Sequence, residues 1–492
     1  MGRLFDGEAA GRRFDKLSAN GVGRGCVIVL AGMIGRSASD QRRNRRGVGA
    51  WYTAAMILLP IIAAVALLIL LIALGKVPPF VAFIISALAT ALLLGMPLAK
   101  VPGSIEHGIG DLLGGLAGVI LLGAMFGKLI ADSGAAQRIA ESLIGLFGQK
   151  RLPIAMTMTG FIVGIPLFYN VGFVLMVPLV FSVTYRAKLP ALYVGMPLFA
   201  GLSIAHGFLP PHPSPTALVS QFNANLGLTL IYGLIVGIPT LLIAGPLFAT
   251  TLRKIEVRPS ELFKPVETKD ADLPGAFNAF SCALLPVLLI GGTTALGYLP
   301  GLSDSAKALL AFLGNPTIVL LIALIVAAFT LGVARGTPFA QVMDGFGGAI
   351  RDIAAILLII AGAGALKQVL VDSGADKQLA ALLSGLPIHP LLLGWLLAFL
   401  IRIALGSATV AGLTAASLIR PLVLAGGVNP NLMVLSVGAG SLMCSHVNDS
   451  GFWMFKEYFG LSLKDTFRSW TAMETIVGVA GLAFVMLLSL WV

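Results

Sequence analysis

Two short stretches concentrate the polar chemistry of a chain that is otherwise mostly hydrocarbon. HGFLPPHPSPTA (His206–Ala217) holds two histidines, four prolines and Thr216, and CSHVNDSGFW (Cys444–Trp453) holds His446, Asn448 and Asp449. Histidine titrates near neutral pH, and acids kept inside a membrane commonly relay protons. His206, His212, His446 and Asp449 are therefore candidate proton carriers, with Thr216 and Asn448 as hydrogen-bonding neighbours. Polar residues also interrupt two apolar runs. Asn170 lies in GIPLFYNVG (Gly164–Gly172), and Ser407 and Thr409 lie in GSATVAG (Gly406–Gly412), with Arg402 one turn upstream. An asparagine both donates and accepts, and the hydroxyls do the same beside loosened backbone. An arginine in hydrocarbon costs about 2.5–3.5 kcal/mol on insertion scales. Arg402 can snorkel to an interface, fork onto a carboxylate, or pair with Asp449. Cys26, Cys282 and Cys444 are too widely spaced for a disulfide framework or a metal pair.

The elements that position these residues follow from composition. The chain has 492 residues, of which 57% are hydrophobic and 11% charged, and its mean hydropathy is +0.95. A soluble domain carries about 25% charged residues, so this is a polytopic membrane protein. Segments 54–74, 80–98, 228–248, 277–299, 317–333 and 476–492 approach or exceed the length of an apolar helix that crosses a bilayer. No alternating ten-residue pattern points to a barrel. Counting the interrupted segments, the sequence predicts an all-α fold of about 12–14 spanning or half-spanning helices.

The net charge is +11, and +6 of it lies in residues 1–50, ending in RRNRR (Arg42–Arg46). In a membrane protein such an excess anchors a cytoplasmic end and does not signal nucleic-acid binding. Residues 1–50 read as a disordered basic extension, with Met56 as an alternative start. The apolar run at 26–34 is too short to span and lacks a clean cleavage site.

The polar stretch Arg253–Pro274 breaks the chain into halves, giving segments 51–252 and 276–492 joined by a loop at 253–275. The halves resemble one another at one offset. Asp132, Ser133, Gly134 and Ala135 match Asp372, Ser373, Gly374 and Ala375. Gly172 matches Gly412, and Leu202 and His206 match Leu442 and His446. Duplicated halves with paired helix breaks are an architecture of secondary transporters, whose site lies at the repeat interface. The N-terminus of a broken helix is a positive end that favours an anion. The DSGA motifs read as helix caps formed by Asp132 and Asp372, and Lys456 and Glu457 as an interfacial pair. The four prolines at 210, 211, 213 and 215 predict a non-helical knot lining a cavity.

Three stretches carry a family resemblance: AGLSIAHGFLPPHPSPTA, GSATVAGLTAA and SHVNDSGFWMFKEYFGLSLKDTFRSWTAMETI. Over residues 56–492 the chain resembles the gluconate permease family of bacterial sugar-acid symporters. The resemblance implies a multi-pass permease of the cytoplasmic membrane that imports gluconate or a related sugar acid with protons. It also implies two inverted repeats with broken helices and re-entrant segments, as in ion-transporter folds. The sequence alone does not establish the inversion. A sugar acid presents one carboxylate and several hydroxyls, for which Arg402, Asn170, Ser407, Thr409, Thr216 and Asn448 are the candidate contacts. The chain departs from the family at Asn170, where members often carry an acid, so coupling or substrate can differ here.

The expected partners are a sugar-acid anion, protons and the lipid bilayer, with no nucleic acid and no cofactor; homo-oligomerisation is left open. The rival readings are a cation-coupled carboxylate transporter, a sodium/proton-type exchanger of similar fold, and an intramembrane hydrolase. The last lacks HExxH, GxSxG and any cysteine–histidine cluster.

Overall fold

The computed structural model describes residues 59–72, 74–255, 257, 273–447 and 449–492. Pro60–Val492 form one compact unit. The basic extension at 1–50 and most of the connecting loop at 253–275 lie outside the described residues, as does Asn448.

In the first half the helices are α1 (Leu59–Ile72), α2 (Pro79–Leu93), α3 (Val101–Asp132), α4 (Ala135–Phe147), α5 (Leu152–Gly164), α6 (Tyr169–Ala187), α7 (Ala191–Phe208), α8 (Pro213–Phe222) and α9 (Leu226–Leu242). The second half has α10 (Ala276–Gly297), α11 (Asp304–Leu313), α12 (Pro316–Ala327), α13 (Phe339–Asp372), α14 (Ala375–Ser384), α15 (Pro390–Leu405), α16 (Ala408–Leu424), α17 (Pro430–Leu442), α18 (Ser450–Phe459), α19 (Leu463–Thr466) and α20 (Ala472–Leu488). A π-helical turn at Phe467–Thr471 fuses α19 to α20. Among the described residues, seven helical segments are long and apolar enough to cross a membrane, and six apolar helices are shorter. That is the all-α polytopic architecture expected.

Local chemistry sets the boundaries. Proline opens α2, α8, α12, α15 and α17, where a missing N–H costs nothing and φ is already helical. Asn225, Asn315 and Asn429 accept backbone N–H groups at the starts of α9, α12 and α17.

The duplication is visible element by element. A shift of 240 residues carries α3 through α8 onto α13 through α18, with boundaries agreeing to within a few residues except at the end of α17. The pairing of α3 with α13 gives their relative direction. Gly108, near the start of α3, abuts Gly364, near the end of α13; Asp132, ending α3, lies beside Gly345, near the start of α13. Equivalent helices therefore run antiparallel, and the repeats are inverted. Each of the two glycines would drive a Cβ into the other's carbonyl, so the close crossing requires both.

Two local expectations are corrected. In each DSGA motif the aspartate ends the preceding helix, and the serine turns the chain. Ser133 Oγ accepts the Ala135 N–H at 3.3 Å and Ser373 Oγ that of Ala375 at 3.5 Å, with Gly134 and Gly374 left-handed. Asp132 instead pairs with Lys128 and Asp372 accepts from Gln368. The proline knot is also shorter than expected. Only residues 209–212 are non-helical, because Pro213 and Pro215 fall in the first turn of α8, where proline is tolerated.

Candidate functional site

Both predicted helix breaks are present. α5 stops at Gly164 and the chain resumes as α6 at Tyr169; α15 stops at the left-handed Gly406 and α16 begins at Ala408. The first turns of α6 and α16 both face one cavity of about 700 Å³. Its lining runs from the more exposed Lys128, Asp132 and Asp352 to the more buried Arg402, Asp449, Ser203, His206, Trp470 and Glu474. The volume suits a small organic ligand. Two helix N-termini aimed into it favour a negative group there.

Arg402 is only 4% exposed, so it does not snorkel. Its Nη2 donates to Asp449 Oδ2, which also accepts from Ser445 Oγ. Asp449 Oδ1 accepts the Gly451 N–H at 2.9 Å and so caps α18. Trp470 Nε1 donates to Ser445 Oγ at 2.7 Å, and Thr471 Oγ1 to the Ser445 carbonyl at 2.5 Å. This network fixes one edge of the guanidinium. Its Nε and Nη1 are buried with no partner among the described residues. Buried donors are normally satisfied, so an acceptor entering the cavity meets a charged donor already in place.

Ser407 faces the cavity and caps α16 by accepting the Val410 N–H at 3.4 Å, which leaves its own proton to donate. Thr409 lines the same wall, half-buried. Asn170 is the second residue of α6, and its side chain lies outside the described ones. Thr216 is buried on α8, its Oγ1 without a partner, and does not line the cavity.

The histidines divide. His206 lines the cavity with a buried, unpartnered Nδ1, and its ring lies 5.8 Å from that of Tyr169 and 5.6 Å from that of His212. His212 Nε2 donates to the Gly164 carbonyl at 2.6 Å. His446 Nε2 donates to the Ile403 carbonyl at 3.1 Å. The sequence aligns His206 with His446, yet the residues sharing a task are His212 and His446. Each holds a carbonyl near the end of the helix that precedes a break.

Six residues named in this site were not singled out from the sequence: Lys128, Tyr169, Ser203, Asp352, Trp470 and Glu474. Glu474 is 3% exposed, and both its oxygens lie within hydrogen-bond reach of Ser203 Oγ, at 2.8 and 2.9 Å. Tyr169 OH is buried without a partner. A signal for Glu474 existed, since it is the last acid in the chain and falls in an apolar 26-residue helical segment.

Comparison with known proteins agrees with this picture. Residues 56–491 match the family described as GntP family permease. The chain is 46% identical over 428 residues to the Gnt-II system L-idonate transporter of Escherichia coli K12, covering 87% of this chain and 98% of the relative. It is 47% identical to a high-affinity gluconate transporter of the same organism, over 87% and 98% of the two chains. The gluconate permease of Bacillus licheniformis is 45% identical, over 89% and 100%. Among solved structures, the YdaH transporter of Alcanivorax borkumensis has a similar fold, with a TM-score of 0.60 at 18% identity over 84% of this chain and 97% of that one.

Proposed function

The chain belongs to the GntP permease family, a family of transporters rather than enzymes, and from that premise we propose that it imports gluconate or a related sugar acid with protons. It is a multi-pass protein of the bacterial inner membrane. The observation that carries the substrate reading is the pair of unpartnered donors on Arg402, buried in a cavity onto which two helix N-termini open. Either Nε or Nη1 supplies a charged donor to a substrate carboxylate, and the dipoles of α6 and α16 add to the attraction. The hydroxyls of Ser407, Thr409 and Tyr169 and the His206 ring suit the polyol tail.

The relatives are named for two different sugar acids at nearly equal identity, so the proposal is for the chemical class. The test is uptake of labelled gluconate by a transport-null strain expressing this chain, with unlabelled sugar acids as competitors. Saturable uptake, competed by sugar acids and abolished by a protonophore, is the expected result. Uptake that follows a sodium gradient and ignores the protonophore would replace protons by sodium. Absence of sugar-acid uptake by a correctly inserted protein would remove the reading.

A further inference from the structure

The cavity holds two deep carboxylates, and their surroundings differ in kind. Asp449 accepts from Arg402, from Ser445 and from a backbone N–H, and caps a helix. Glu474 makes no ion pair among the described residues, and its hydrogen-bond partner is Ser203. A serine hydroxyl has one proton, but its oxygen stands 2.8 Å from one carboxyl oxygen and 2.9 Å from the other. An ionised carboxylate only accepts, so its two oxygens must share that one proton in a weaker three-centre bond. A protonated carboxyl both donates and accepts. With Glu474 protonated, Ser203 donates to one oxygen while the other donates back to Oγ, and both contacts become hydrogen bonds. Without the proton, a lone buried charge remains in the membrane interior, which is costly.

We propose that Glu474, hydrogen-bonded to Ser203, is the group that takes up and releases the co-transported proton. This rests on the proton-symport reading above and adds the residue. The proton comes from water in the cavity, adds to a Glu474 oxygen, and leaves to water after the cavity opens on the other side.

The charged and titratable groups around Glu474 explain the coupling. Arg402 on α15, Asp449 at the start of α18, His206 on α7 and Tyr169 on α6 share its cavity. Helices α9 and α17, also packed on α20, bring no carboxylate, histidine, lysine or arginine. Arg402 is already neutralised by Asp449. Lys128, paired with Asp132, and Asp352 line the exposed part of the same cavity, so a substrate anion that enters beside an ionised Glu474 adds a second uncompensated negative charge at the buried end. Protonating Glu474 removes that repulsion. Proton and substrate therefore favour each other's binding, and the linkage is reciprocal.

The experiment uses the purified full chain in proteoliposomes with labelled gluconate, under an imposed pH gradient and in equilibrium binding from about pH 5.5 to 8.5. Wild-type affinity should weaken with rising pH, by up to tenfold per unit once Glu474 must be protonated on binding. Glu474→Gln, which mimics the protonated side chain, should bind gluconate with an affinity independent of pH. It should still perform counterflow, and lose at least about tenfold of the accumulation driven by one pH unit. A variant accumulating like wild type and keeping its pH dependence overturns the assignment, and so does one that reaches the membrane but binds at no pH. If Glu474→Gln fails to insert, Ser203→Ala decides. It should move the pH midpoint of uptake by about one unit, and an unmoved midpoint overturns the proposal. A wild-type protein indifferent to the pH gradient overturns the symport reading itself, which separates that failure from a misplaced proton site.

Discussion

At the scale of single residues, the site depends on how Arg402 divides its donors. One nitrogen holds Asp449, and two remain for a ligand. Arg402→Ala leaves a largely buried carboxylate without its cation, which costs about 3–5 kcal/mol. The expected outcome is loss of gluconate uptake together with a large fall in melting temperature. Arg402→Lys separates the two roles. An ammonium can still pair with Asp449, but it lacks the fork. Folding should survive, and affinity should fall about 10–100-fold, the worth of one charged hydrogen bond. Uptake kinetics and ligand-induced thermal shift on the same preparations check this, and wild-type affinity in the lysine variant would remove the carboxylate contact. Arg402 was legible because charge in an apolar run is conspicuous, and Asp449 because it lies in a concentrated polar stretch. Glu474 was not. The last span, read from hydropathy, began at Ile476, leaving Glu474 just outside it. The π-helical turn at Phe467–Thr471 carries the helix further back and puts the acid on the cavity wall. Such turns recur at functional sites, but no simple periodicity announces them.

At the scale of elements, the breaks were readable and the caps only partly so. Glycine, proline and asparagine within one long apolar run, and glycine, serine and threonine within another, located the two interruptions. What they did not reveal was which neighbouring side chain satisfies the freed backbone, because that partner is distant in sequence: His212 reaches Gly164 and His446 reaches Ile403. The aspartates of the two DSGA motifs were misread for a related reason. Aspartate and serine both cap helices, and only geometry tells which one turns the chain. The break before α16 yields a graded prediction. Gly406 is left-handed at φ 75°, so Gly406→Ala should cost about 1–2 kcal/mol, and Gly406→Asn less, since asparagine tolerates that region. Ser407→Ala removes a long capping contact and should cost about 0.5–1 kcal/mol. Melting temperatures of the three purified variants test the order; equal values for alanine and asparagine at 406 would show that the backbone relaxes out of the left-handed turn.

At the scale of the whole molecule, a constant offset between halves revealed the duplication but carried no direction. Direction required the contacts of Gly108 with Gly364 and of Asp132 with Gly345, made between residues that a sequence match never pairs. Inverted halves give a transporter two related arrangements of one site, which is the basis of alternating access. In the arrangement here the exposed part of the cavity lining is Lys128, Asp132 and Asp352. Energetics then depend on the charge that crosses with the site. Arg402 and Asp449 neutralise each other, so a sugar-acid anion with one proton on Glu474 makes a loaded site of no net charge relative to the empty one. Membrane potential then does no work on the overall cycle. Accumulation should follow the pH gradient alone, about tenfold or 1.4 kcal/mol per pH unit. If His206 also carries a proton inward, one positive charge crosses per cycle, and each 100 mV contributes about 2.3 kcal/mol. Proteoliposomes with a potassium diffusion potential and a separately imposed pH gradient distinguish the two. We expect accumulation to track pH and to stay flat as potential is varied. A steep dependence on potential would mean a second proton, and His206→Gln should then abolish it while leaving the response to pH that Glu474 supplies.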